Sequence, residues 1–164
     1  MKTKLYDGTA VSLRLARDSD SEFLLEWTNI SRTGGLALSG SEPLKQHDHV
    51  TWFAARLQSP DSWIWIVECA AAPVGVVRLE REPGTAANTV GVSVFITQES
   101  RGLGLAPVAI QYALQDVALK HGIEQAIARV RHGNIASKRL FEGLGFSTSE
   151  RYADHVVFRS RALA

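Results

Sequence analysis

Apolar and polar residues alternate along this chain with two periods that take turns. Residues 11–16 set Val11, Leu13 and Leu15 against Ser12 and Arg14, the two-residue period of a strand. Arg17, Asp18, Ser19 and Asp20 then form a helix-start cluster. Phe23, Leu24 and Trp27 recur at helical spacing and predict a first helix ending near Asn29. Residues 31–41, rich in Gly, Ser and Thr, read as a loop. A second helix follows Pro43 on a stripe of Val50, Phe53, Ala54 and Leu57, and Pro60-Asp61 stops it.

Two strand-like runs, 63–69 and 74–80, are joined by 70–73 as a hairpin. Residues 82–88, with Pro83 and Gly84, turn the chain again before 89–97, a run apolar enough to lie inside a sheet. The period becomes helical over 102–121 and stops at Gly122, just past the helix end. A short strand (123–130), a helix (134–144) closed by Gly145, and a terminal strand pair (146–149 and 155–159) complete the chain. The order βα αββ βαβα ββ predicts one mixed α/β domain over residues 1–164, with one parallel βαβ unit.

Composition narrows the function classes. Lys+Arg is 18 and Asp+Glu is 17, a net charge of +1 that argues against a broadly basic nucleic-acid platform. Cys69 is the single cysteine, so neither an internal disulfide nor a multi-cysteine metal site is available, and its apolar neighbours predict a buried side chain. Apolar runs stay well short of the roughly 18 residues of a membrane span. Met1-Lys2-Thr3-Lys4-Leu5 lacks a signal peptide's apolar stretch, so the expected compartment is the cytoplasm, with no membrane partner.

The strongest chemical signal is the turn Arg101-Gly102-Leu103-Gly104-Leu105-Ala106, between a predicted strand and a predicted helix. A glycine-rich turn there places orphan N–H groups at a helix N-terminus, where the helix dipole also favours an anion. Arg101 adds a cation. The lysine of a nucleoside-triphosphate loop is absent, and Pro107 breaks a dinucleotide fingerprint. The turn resembles the acetyl-CoA pyrophosphate loop of the GNAT family of N-acetyltransferases. About 30 residues on, Asn134-Ile135-Ala136-Ser137-Lys138-Arg139-Leu140-Phe141-Glu142-Gly143-Leu144-Gly145-Phe146 resembles the family's second signature, N-x-x-S-x-x-L-[FY]-E-x-L-G-F.

This resemblance implies a mostly antiparallel sheet of six to seven strands with a splayed parallel pair, flanked by about four helices. It implies acetyl-CoA as cofactor. The pantetheine arm would meet unpaired backbone at Phe95 and Ile96, and the pyrophosphate would meet the turn, including Arg101, Gly102, Leu103, Gly104, Leu105 and Ala106. Asn134, Ser137 and Phe141 share one helix face that would look onto the thioester. Many members carry Tyr at the position of Phe141 as the acid for the leaving thiolate; Phe141 has no proton to give, which leaves Ser137 or a water. Several relatives carry a base glutamate on the strand matching residues 89–96, which here holds no carboxylate. Glu80, His47 and His49 are the remaining candidates for a base.

For the acceptor, Trp27, Asn29, Arg32, His49 and Trp52 resemble a pattern associated with acetyltransferases of nucleotide-linked amino sugars in surface-glycan pathways. The alternatives are a protein N-terminal α-amine, a polyamine or antibiotic amine, and a non-catalytic acyl-CoA sensor. The expected partner is a small-molecule amine, with monomer and homodimer both open.

Overall fold

The computed structural model describes residues 2–4 and 9–163. Met1 and Leu5, the ends of the stretch read for a leader, lie outside the described residues. Among the described residues, eight strands form one sheet: β1 (Lys2–Lys4), β2 (Ala10–Leu15), β3 (Ser62–Cys69), β4 (Ala72–Arg81), β5 (Thr89–Ile96), β6 (Gln125–Arg131), β7 (Ser147–Arg151) and β8 (His155–Arg159). Their spatial order is β1-β2-β3-β4-β5-β6-β8-β7. Apart from the three-residue edge strand β1, these are the seven expected strands, and β5–β6 is the parallel pair. The described residues also form four α-helices: α1 (Ser21–Thr33), α2 (Gln46–Gln58), α3 (Leu105–His121) and α4 (Ile135–Gly143). No described helix is long and apolar enough to cross a membrane.

The two faces of the sheet bury separate clusters. On one, α3 packs Leu105, Ala109, Ala113 and Val117 onto Val77, Leu79, Val90 and Val92, with Phe141 and Phe158 completing the core. On the other, α1 and α2 bring Leu24, Trp27 and Phe53 onto Ile64 and Ile66. Cys69, expected to be buried, is a free, half-buried thiol at the end of β3, packed against the first cluster.

The β3–β4 connection is two residues long, because Cys69 pairs with Ala72. Ala70 and Ala71 both carry positive φ, 49° and 67°. That is the left-handed pair of a primed hairpin turn, which favours Asn-Gly, and each alanine there costs about 1 kcal/mol. The double variant Ala70→Asn/Ala71→Gly is therefore expected to stabilise the fold by about 1 kcal/mol, read from the urea midpoint at constant m.

Candidate active site

Strand β5 leaves β6 half-way along. The parallel pairs are Thr89 with Gln125, Val90 with Ala126 and Gly91 with Ile127, and none follows, although β5 continues to Ile96 and β6 to Arg131. On its other edge β5 stays paired with β4 as far as Ile96 opposite Gly75. Glu82 N–H donates to Thr89 O at one end of that ladder, and Thr97 N–H to Val74 O at the other. Hydrogen-bonded pairs alternate in an antiparallel ladder, so the odd-numbered residues of β5 direct their backbone groups to β4. The even-numbered ones face β6. Val94 and Ile96, past the end of the parallel ladder, turn theirs into the gap. Phe95, expected to offer free backbone, sits opposite Val76 at an odd position and is corrected. It reaches the site through its ring, stacked on Trp27 with centroids 5.6 Å apart. The carbonyl of Ile96 already accepts from Arg101 Nε at 3.1 Å.

The gap opens into a cleft of about 740 Å³. A second hollow of about 690 Å³, between α3 and residues 160–163, includes none of the predicted site residues. One end of the cleft is the glycine turn. Gly102 and Gly104 hold φ of +79° and +75°, and no atom lies within 4 Å of a Cβ built on either. Their glycine identity answers backbone conformation, and the space beside them is open. Helix α3 starts at Leu105, so its first amides face this space with Arg101 alongside. A phosphate fits that donor set. Leu103 is 46% exposed and does not line the cleft, against expectation, because its side chain points to solvent.

Helix α4 forms the opposite wall. Asn134 caps it, its Oδ1 accepting from Ser137 N–H at 3.1 Å. Ser137 is half-buried on the cleft wall. Phe141, 3% exposed, packs on Phe146 (centroids 5.2 Å apart) and Phe158 (6.3 Å), so it is core and cleft floor at once.

The α1–α2 side carries Trp27, His49, Trp52, Arg78, Glu80 and Glu82. Glu80, read as a candidate base, has its two oxygens on Arg56 Nε (2.5 Å) and Arg78 Nε (3.4 Å). Both guanidiniums lie over the Trp52 ring, at 5.9 and 5.0 Å from its centroid. Glu82 pairs with Arg129 of β6 at 2.8 Å. The sequence reading missed Arg78, Glu82 and Arg129; the period-two run Arg78, Glu80, Glu82 was the available signal for the first two.

Asn29 and Arg32 are corrected. Helix α1 continues to Thr33, which places Arg32 in its last turn and not in a loop. Arg32 donates to the carbonyls of Ser39 (2.6 Å) and Glu42 (2.5 Å), and the Asn29 amide exchanges hydrogen bonds with the backbone of Leu44 (2.7 and 3.2 Å). Neither lines the cleft. Residues 34–45 have no ladder to satisfy their backbone; N–H groups of residues 34–37 bond back to carbonyls of α1, and side chains hold the rest of the segment at Ser39, Glu42 and Leu44. Arg131 adds a third tie, donating to Ala37 O at 2.7 Å. The clamped segment carries Leu36 to Ser39 along the cleft rim.

His49 lines the cleft from inside the core, 1% exposed and stacked on Phe53 at 5.8 Å. Burial pushes its pKa below the ordinary 6.5, against a smaller opposing pull from the Ser21 backbone. The folded state therefore resists a proton that the unfolded chain accepts. This stability is present above pH 6.5 and is lost as pH falls below it. As pH falls below 6.5 the urea-derived stability is expected to fall, by at most about 1.4 kcal/mol per pH unit, and His49→Gln to flatten that slope.

A sheet that parts beside an anion-accepting helix start, with a cleft behind it, is the arrangement that the resemblance to acetyl-CoA-dependent acyltransferases implied. Residues 11–147 match the family described as Acetyltransferase (GNAT) domain, and the chain belongs to that family. It is similar to a Bacillus subtilis (strain 168) protein named "Putative phosphinothricin acetyltransferase YwnH", 28% identical over 140 residues, which are 84% of each chain. Its fold matches YncA of Salmonella typhimurium, solved with its cofactor acetyl-CoA, at TM-score 0.78 and 20% identity over 92% of this chain and 93% of that one. It also matches the ribosomal-protein-alanine N-acetyltransferase of Brucella melitensis at TM-score 0.80 and 19% identity, over 92% and 99% of the two chains.

Proposed function

We propose that this enzyme acetylates the primary amine of a small anionic acceptor, a nucleotide-linked amino sugar before others. The observation that carries this reading is the charge of the acceptor wall. Among the described residues, the ion pairs of this wall set Arg56, Arg78 and Arg129 against the two carboxylates of Glu80 and Glu82, three cations to two anions. Arg78 is held on the cleft wall by Trp52 and Glu80. A guanidinium fixed this way suits a phosphate or carboxylate and opposes a polyamine. The Trp52 ring beside it supports a sugar or base face.

Acetyl-CoA supplies the acetyl thioester. The amides of Gly102, Gly104, Leu105 and Ala106, with Arg101, hold its pyrophosphate, while Val94 and Ile96 offer their backbone to the pantetheine. Ser137, capped into position through Asn134, donates a proton to the leaving sulfur, since Phe141 has none. Glu80 serves as counter-charge to Arg56 and Arg78. His49, kept neutral in the core, supports Trp52 from beneath.

A second reading, an amino acid bearing an oxyacid group, is favoured by the same cationic wall and by the similarity to the Bacillus protein. Thiol release from acetyl-CoA, measured with a UDP-4-amino sugar, L-phosphinothricin, a ribosomal N-terminal peptide and spermidine, separates the readings. The amino sugar is expected to be the fastest. Spermidine as the best substrate, or no thiol release with any of the four, overturns the proposal.

A further inference from the structure

Strand β5 has no carboxylate of its own, yet one lies directly on it. A Cβ built on Gly91 would fall on the Glu82 carboxylate, with Glu82 Cδ only 3.1 Å away. Gly91 is the last β5 residue paired with β6, so this is the point where the two strands part. Glu82 follows the end of β4 and is opposite Thr89, which lets its side chain cross to the neighbouring strand. Arg129, reaching from β6, holds Glu82 Oε1 at 2.8 Å. The Glu82 side chain is 19% exposed and lines the cleft with Gly91. The missing side chain of residue 91 is thus the space that the Glu82 carboxylate fills.

Resting on the acetyltransferase reading, we propose that Glu82, delivered across the sheet onto Gly91, is the general base for the acceptor amine. The ammonium of the acceptor loses one proton to Glu82, directly or through one water. The nitrogen lone pair then forms the bond to the acetyl carbon as the carbon–sulfur bond breaks. The sulfur takes a proton from Ser137 or solvent, the nitrogen gives up its second proton to restore that donor, and the proton held by Glu82 returns to water. The sum is ammonium plus thioester giving amide, thiol and one released proton. Arg129 is a positioning residue that keeps the carboxylate on Gly91. Of the other charged groups on this wall, Glu80 is paired with both Arg78 and Arg56.

The test uses the intact chain, acetyl-CoA and the fastest acceptor of the four-amine panel. Glu82→Gln is expected to lower kcat about 100-fold at pH 7 with CoA affinity by calorimetry unchanged. The deficit narrows towards pH 10, where the free amine needs no base. Gly91→Ala, whose methyl displaces only the flexible end of Glu82, is expected to lower kcat at least tenfold. Glu82→Ala/Gly91→Glu, which returns a carboxylate to the same spot from the other strand, regains most of the loss. As a readout independent of turnover, the Gly91 amide resonance follows the ionisation of Glu82 in the wild type and ceases to do so in Glu82→Gln. Wild-type kcat in Glu82→Gln, a deficit constant up to pH 10, or a Gly91 amide blind to Glu82 overturns the proposal. Failure of the wild type to bind CoA or release thiol instead counts against the function on which it rests.

Discussion

Gly104→Val is expected to weaken CoA binding by about 100-fold, close to 2.7 kcal/mol, with a smaller loss of fold stability. Gly104 sits at φ +75° immediately before α3, a conformation that valine reaches only at a cost of 1–2 kcal/mol or more. The protein itself leaves room for a side chain there. The penalty therefore falls on whatever approaches the first amides of α3: a valine branch occupies the place of the phosphate, and relaxing the strain turns the amides away from it. Gly122 gives an internal control. It holds φ +65° at the other end of the same helix, also with nothing within 4 Å of a Cβ, and it is absent from the cleft lining. Gly122→Val is expected to lower the melting temperature comparably and to leave CoA affinity intact. Isothermal titration of both variants decides the matter, and unaltered affinity in Gly104→Val rejects the loop assignment.

The contrast between these two glycines also shows what a sequence can reveal about this molecule. Gly102, Gly104 and Gly122 are legible because a left-handed backbone demands a particular residue type at a particular place. Asn134 and Ser137 are legible for a similar reason, since a cap and a helix face have fixed spacing. What escaped depends on partners far apart in the chain. Arg131 clamps Ala37 across 94 positions, and nothing local to either residue announces it. Arg32 looked like a loop arginine free to meet a ligand, because the extra turn of α1 is stabilised by bonds to a segment whose path is set by the rest of the fold. The exchange of Phe95 for Val94 as the residue facing the gap turns on the β4–β5 register, and a shift of one residue would reverse it. Glu82 is the sharpest case. Its sequence neighbourhood reads as a turn, and only pairing with β5 places it over Gly91.

Asp20→Ala is expected to destabilise the fold by about 3 kcal/mol, the largest effect on stability of any substitution considered. Asp20 is 3% exposed, and its carboxylate accepts two parallel bonds from Arg14 (2.8 and 2.9 Å) and a third from Arg17 N–H (2.8 Å). Arg14 also donates from Nε to Glu68 at 2.7 Å, and Glu68 takes the hydroxyl of Ser12 at 2.8 Å. The network fastens the start of α1 to β2 and β3. Removing the carboxylate leaves a half-buried guanidinium with one partner fewer and an amide unsatisfied. Burial alone would raise the Asp20 pKa, but the Arg14 and Arg17 bonds outweigh it and hold it below its ordinary 3.8. The resulting stability is complete above that value and is lost as pH falls through the lower folded pKa. Acid unfolding of Asp20→Asn is therefore expected to lose part of its steepness below about pH 4. Because α1 carries Trp27 onto Phe95, loosening its start also loosens the acceptor wall, and KM for the amine is expected to rise while CoA affinity holds. Arg14→Ala/Asp20→Ala measured beside the single variants supplies the coupling: a double variant costing as much as the sum of the singles rejects the ion pair as the source of the effect.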